Sequence, residues 1–571
     1  MADRFKFFSI GVFTMFIGAI PAAGQDSTQT VGLFLHDDQA YGSYTFFAPN
    51  QYTSSYLIDL DGQLVHQWDH EFTPGANATL LPDGHVLRSA SIANAVFPAG
   101  GRGGRMQEFD WEGNLVWEFI YTDSLHALHH DMEPLPNGNI LMDSWEVKTK
   151  EEAIAAGRDS TRIPDGVIWS EVILEVQPDR VNGGGDIVWQ WDMWDHLIQD
   201  FDSTKANFGV VADHPELLDI NFAPTDVADW LHVNSVDYNP DLDQVVFNSP
   251  RLGEFWVIDH GTTTEEAAGH SGGLRGRGGD FLYRWGNAAA YDATVDNEKH
   301  FFFQHDIHWI DEGLPGAGHF LLFNNGLNRT GGVNYSSVDE LVPPLNADGS
   351  YDRVPGMPFG PDTLAWSYSA PNPTDFYAPF ISSAQRLPNG NTFITTGTTG
   401  RLFEITAEGD IVWEYVNPVT KEGPLAQGDT LSPGPNPLGK NNLVFHATRY
   451  AASFPGFDGR DLTPMGTIEK SRQTGIEQTK DISETFALSP NYPNPFSFST
   501  TIPFSLAHPA EVSVYVYNVL GQQVAVPADH RLFTAGAYAL QFDASGLPSG
   551  VYFYRLEAGS FSATNTMLIA R

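Results

Sequence analysis

The 571-residue chain carries 71 Asp+Glu against 30 Lys+Arg, a net charge of −41, and has no cysteine. A surface that acidic repels phosphate backbones and anionic lipid heads, which argues against nucleic-acid and membrane-surface partners. The missing cysteines exclude disulfides, thiolate metal sites and a cysteine nucleophile.

Arg4 and Lys6 precede an apolar run over 7–20 and then the small residues Pro21, Ala22, Ala23 and Gly24. The run is too short to span a bilayer comfortably and reads as a secretory signal peptide, residues 1–24. No later segment is apolar enough to span a membrane, so no membrane insertion of the mature chain is expected.

One phrase then recurs. It reads LIDLDGQLVHQW (57–68), EFDWEGNLVWEF (108–119), LEVQPDRVNGGGDIVWQW (174–191) and EITAEGDIVWEY (404–415), with fainter copies GGDFLYRW (278–285) and DTLAWSY (362–368). Each full copy is a strand, an Asp/Gly turn and an alternating strand ending on an aromatic, which is a β-hairpin. A second phrase follows most copies: LLPDGHVL (80–87), PLPNGNIL (134–141), YNPDLDQVVF (238–247), GLPGAGHFLLF (313–323) and RLPNGNTFI (386–394). Pro-Asn-Gly between apolar runs is another tight turn. Four strands per unit and six units, the last continuing into 442–450, predict an all-β fold with a six-bladed β-propeller over 25–465. A short helix is expected over 151–157, inside a long loop.

Beyond Asp461 the pattern stops. Residues 466–487 read as a polar linker, and 488–571 as a small C-terminal β-sandwich of short alternating strands. LSPNYPNPFSFSTTIPFSL, VYNVLGQQVA and ASGLPSGVYFYRL resemble, in order, the C-terminal sorting domain of type IX secretion cargo. The resemblance implies export through the periplasm to the cell surface or medium, with the type IX machinery as partner.

The starts of a propeller's innermost strands line its central channel. Aligned on the Leu-Pro turn, successive units place His129-His130-Asp131, His232 with Asn234, His305-Asp306 and Ser382 at nearly one position. Three imidazoles from three units would then face one axis. Residues three apart on a strand point to opposite faces, so His308 is expected in the packing layer and does not pair with His305. Three such histidines could hold zinc, and Trp194, Trp230 and Trp309 could stack sugars. A metal-dependent hydrolase and a non-catalytic surface propeller binding glycans or protein partners are therefore the other readings. No HExxH, P-loop, GxGxxG or GxSxG occurs, and no cofactor or metal is assigned.

DWLHVNSVDYN (229–239), QHDIHWI with FNNGLNR (304–329) and FYAPFISSAQRLPNGNTFI (376–394) resemble the bacterial arylsulfotransferase family, over roughly 32–461. The resemblance implies a propeller that moves a sulfuryl group from an aryl sulfate to a phenolic acceptor through a sulfohistidine, without a nucleotide donor. It also implies that His232 and His305 share the nucleophile and acid/base roles, with Arg329 binding the sulfate oxygens; Asn234, two residues after His232, is a further substrate-binding candidate. His130 joins the candidates from the repeat alignment. A further family histidine late in the propeller has no clear match: Ser382 stands there, and His446 is the nearest alternative.

Overall fold

The computed structural model describes residues 29–222, 226–293, 299–470, 476–479, 486–544 and 547–570. The expected signal peptide lies outside the described residues. The chain is all-β, and it divides into two compact units, 1–469 and 470–571.

Among its described residues the first unit holds six antiparallel sheets of four or five strands. The repeated turns build them. Gly113 and Gly138 close two of the hairpins at φ 84° and 86°, a left-handed backbone that glycine adopts without a Cβ clash. The innermost strands of the six sheets are Pro74–Leu80, His126–Pro134, Val236–Asn239, His305–Trp309, Ser383–Arg386 and Val444–Ala451. Each touches the next in that order, and the last touches the first, so the ring is closed.

The closure corrects one expectation. Residues 444–451 do not continue the sixth unit; Val444–Ala451 pairs with Ser43–Pro49 and becomes the inner strand of the first sheet. Likewise Gly32–His36 adds an edge strand to Ile411–Val416. Strands from both ends of the unit thus share sheets, which ties the ring shut.

A tryptophan at the last or third-last position of five of the hairpin phrases has a specific partner. Trp68, Trp117, Trp191 and Trp413 are at most 2% exposed. Their indole N–H groups donate to Asp110 O (3.2 Å), Gly184 O (2.6 Å), Gly279 O (2.7 Å) and Leu60 O (2.8 Å). Trp285 does the same to Pro361 O at 2.9 Å. In each case the acceptor lies in the outer turn of the neighbouring sheet, so a tryptophan from either of two phrase positions fills the interface and satisfies its own polar atom. Trp230 and Trp309 are also core residues, 1% and 5% exposed, and are not open to a sugar.

On the inner strands, carboxylates make the ties. Asp131 accepts from Val236 N (3.0 Å), Asp237 from Trp309 N (2.8 Å) and Asp306 from Ala384 N (2.9 Å). The expected helix is present as Lys150–Ala155, opened by a Thr149/Glu152 capping box.

The second unit contains two four-stranded antiparallel sheets around one apolar cluster that includes Val514, Leu540, Tyr554 and Leu556. Part of the stretch expected as linker belongs to it: Ile476–Thr479 forms an edge strand on Gly536–Asp543.

Candidate functional site

A cavity of about 290 Å³ opens where several inner strands begin, and His130, His232 and His305 all line it. Phe303, Phe380, Phe445, Leu327 and Leu438 supply apolar wall, and Arg251 supplies a charge. The His130 and His232 ring centroids are 4.6 Å apart, and Phe445 lies 6.1 Å from His130 and 6.2 Å from His305.

The backbone that delivers these side chains is strained at matching places. His130, His232, Asp306 and Ser382 have φ of 24°, 54°, 60° and 100°. Non-glycine residues in the left-handed region cost about 1–3 kcal/mol each and persist where the surroundings over-determine them. Here the kinks fall at or near the cavity end of the inner strands, at a register shift within His126–Pro134 for His130, and three of the four sheets present a histidine there. Gly101, at φ 73°, leaves room for one of them: a Cβ on it would sit 2.0 Å from His130 Nε2.

The three imidazoles differ in their hydrogen bonds. His232 Nδ1 contacts Asp229 Oδ2 at 2.5 Å, and Arg251 Nη2 donates to the same oxygen at 3.3 Å. Burial raises the Asp229 carboxyl, but His232 and Arg251 together hold it below the usual carboxylate range. An ionised Asp229 fixes the proton of His232 on Nδ1 and leaves Nε2 as the basic nitrogen. His305 Nδ1 donates to Asn325 Oδ1 (2.8 Å), and its Nε2 accepts from Ile381 N (3.2 Å). Burial pushes His305 down to about 3, so this ring is neutral. His130 is held well below the ordinary imidazole value by burial, with His232, His129 and His305 adding to the effect. Its Nδ1 faces His129 Nδ1 at 3.0 Å.

The structure thus brings His130, His232 and His305 together and leaves the other two candidates outside the cavity wall. Asn234 is buried between sheets, where Nδ2 donates to Gln304 O at 3.1 Å. Arg329 is held elsewhere: Nε donates to Tyr335 O (2.8 Å), Nη2 donates to Ser337 Oγ (2.6 Å), and its plane lies over Tyr335. The arginine on the cavity wall is Arg251, which sequence reasoning missed because no repeat phrase contains it. Asp229 was within the quoted DWLHVNS motif but unremarked; its place three residues before His232 was the available signal. Ser382 Oγ is occupied as an acceptor from Gly397 N.

His308 departs from expectation. It lines a second cavity of about 390 Å³ with Asp131, Glu133, Asp237, Asp306 and His446. The pairing of its strand shifts register between His305 and His308, and the kink at Asp306 breaks the alternation that would have sent it into the packing layer. Burial raises the carboxyls of this cavity, Asp131 to about 6 and Asp237 to about 8.

Residues 25–340 match the family model for arylsulfotransferase (ASST). The chain belongs to the arylsulfotransferase family. The matched span includes His130, His232, Arg251 and His305, and ends before Phe380, Ile381 and Phe445, which complete the cavity. Membership supports aryl sulfotransferase activity in general terms. Residues 491–570 match a secretion system C-terminal sorting domain. That domain, of the type IX kind, marks this arylsulfotransferase for export to the cell surface or medium. Among the described residues no helix is long and apolar enough to cross a membrane.

No curated protein matches the chain. Matching solved structures include a protein of unknown function from Bacteroides caccae, at 12% identity and TM-score 0.35, over 66% of this chain and 93% of that one. Apo AztD from Citrobacter koseri matches at 9% identity and TM-score 0.30, over 72% of this chain and 99% of that one. A calcium-binding protein, regucalcin, from Agrobacterium tumefaciens matches at 10% identity and TM-score 0.27, over 68% and 93% of the two chains.

Proposed function

We propose that the first unit is a six-bladed β-propeller enzyme that moves a sulfuryl group from a phenolic sulfate ester to a phenolic acceptor through a sulfohistidine at His232. The second unit is then a β-sandwich export address with no part in the chemistry. The observation that carries this reading is the Asp229–His232 pair on the wall of a cavity shared with two neutral imidazoles and lined with aromatic rings.

His232 Nε2 is the nucleophile. Asp229 fixes the tautomer and stabilises the positive charge that develops on the ring as the nitrogen attacks, the role a carboxylate plays behind histidine in acyl transfer. The N–S bond forms as the aryl O–S bond breaks, and the phenolate leaves with the bonding pair. In the second half, the acceptor phenol loses its proton as its oxygen attacks sulfur, and the N–S bond returns its pair to His232. His305 is the acid/base partner: its Nε2 gives up the long contact from Ile381 N as substrate enters and then exchanges the proton with the two phenol oxygens in turn. The anionic sulfate offsets part of the desolvation that keeps His305 neutral, so its protonated form becomes accessible with substrate bound. Arg251 and His130 face the sulfuryl oxygens, where negative charge is spread, and supply hydrogen-bond donors in a largely dry site. Phe303, Phe380 and Phe445 receive the aryl ring.

Incubation with an aryl sulfate and a phenolic acceptor tests this. Donor phenol and sulfated acceptor are expected in equal amounts, with no requirement for a nucleotide sulfate. Phenol release at the same rate without acceptor would make the protein a hydrolase instead.

A further inference from the structure

Next to the cavity, His130 also belongs to a buried cluster whose other members, His129 and Asp143, sulfuryl transfer does not use. His129, His130 and Asp143 are buried, 1%, 3% and 0% exposed. His129 Nδ1 lies 3.0 Å from His130 Nδ1 and 3.5 Å from Asp143 Oδ2, and the three donor atoms all fall within 4.8 Å of one another. The two rings stand at 89°.

Hydrogen bonding within the protein does not complete this arrangement. His129 Nε2 is engaged by Glu171 Oε2 at 2.9 Å. Asp143 Oδ1 accepts from Asp131 N at 2.9 Å, while Oδ2 has no hydrogen-bond partner in the described structure. At most one proton can lie between the two facing Nδ1 atoms, and at 3.5 Å His129 Nδ1 stands too far from Asp143 Oδ2 for a good hydrogen bond. A buried polar oxygen left without a partner costs about 1–3 kcal/mol. One divalent cation would satisfy all three atoms at once.

We propose that His129 Nδ1, His130 Nδ1 and Asp143 Oδ2 form a zinc site. Zinc bonds to imidazole nitrogen and carboxylate oxygen are about 2.0–2.2 Å. Tetrahedral geometry then places ligand atoms about 3.3 Å apart, between the two separations seen here. Two imidazoles and a carboxylate favour zinc over the hard cations calcium and magnesium, and leave one coordination position open. Glu171 completes the pattern, since a carboxylate behind a ligating histidine fixes its tautomer and raises its basicity. Such an ion would also lock the His130 ring at the cavity wall. The site stands whether or not the chain transfers sulfuryl groups.

The test reads metal directly. The full chain, stripped by a chelator and returned to Zn²⁺, is expected to bind one tight equivalent by competition with a chromophoric chelator. Asp143→Asn keeps the acceptor for Asp131 N and should abolish that equivalent with an unchanged circular dichroism spectrum. Glu171→Gln should weaken it about 10–100-fold. Two other His/carboxylate groups, His196/His270/Asp280 and Asp83/His85/Glu108, are already internally hydrogen bonded, so His270→Ala should leave the tight equivalent in place. No tight equivalent, or one that survives Asp143→Asn or disappears in His270→Ala, overturns the proposal.

Discussion

At the scale of single residues, the site depends on which nitrogen of each imidazole is free. His232 alone pairs a buried carboxylate on Nδ1 with an Nε2 at the cavity. His232→Ala is expected to remove sulfuryl transfer, a fall of at least about 10³-fold in kcat. Asp229→Asn should keep the contact but lose the fixed charge, lowering kcat by roughly 10²–10⁴-fold with a smaller change in KM. Steady-state kinetics of the two variants checks both; a KM effect alone would leave Asp229 as a binding residue. Gly101→Ala carries a different expectation. Its Cβ would fall 2.0 Å from His130 Nε2 at a φ of 73°. A loss of about 1–3 kcal/mol of stability and a displaced His130 should follow, read as a lower melting temperature together with a lower kcat. A variant with wild-type melting and kinetics would mean that the loop has room to move.

At the scale of elements, the repeated hairpin was legible because its parts are local. An Asp/Gly turn, alternation and a terminal aromatic are each visible within a dozen residues, and the structure places tryptophans at or near these ends between neighbouring sheets. What could not be read was anything set by long-range pairing. Val444–Ala451 joins a sheet formed some 400 residues earlier, and no local pattern encodes that partner. The same limit governs the site. The three histidines were found by repeat alignment, whereas Arg251 and Phe445 lie outside the repeat phrases and reach the cavity only through the closed ring. Arg329 was placed by motif, yet its guanidinium is held by Tyr335 and Ser337.

The inter-sheet ties carry their own predictions. Trp117→Phe keeps most of the apolar filling and removes one inter-sheet hydrogen bond while Gly184 O still accepts from Asp179 N, so a loss of about 0.5–1.5 kcal/mol is expected in denaturant unfolding. His260 bridges Glu175 and Asp243 at 2.9 and 2.8 Å. Burial lowers it, but the two carboxylates win and raise it from 6.5 to about 9. A raised histidine stabilises the fold fully below its unfolded value and loses that contribution as pH rises through the folded one. The stability gap between the wild type and His260→Gln should therefore be widest below pH 6.5 and close as pH passes about 9. A gap that widened over this range would contradict the ion triad.

At the scale of the whole molecule, the charge of −41 and the sorting domain describe an exported protein, while the chemistry belongs to one end of the first unit. The claim on which the rest depends is that a covalent sulfuryl group resides on His232 between two half-reactions. Rapid mixing of enzyme with an aryl sulfate, in the absence of any acceptor, measures it directly. A burst of phenol close to one per enzyme is expected, with an acid-labile sulfuryl adduct mapped by mass spectrometry to His232 and discharged when a phenol is added. No burst, or an adduct on His305 or elsewhere with His232 unmodified, would contradict the account.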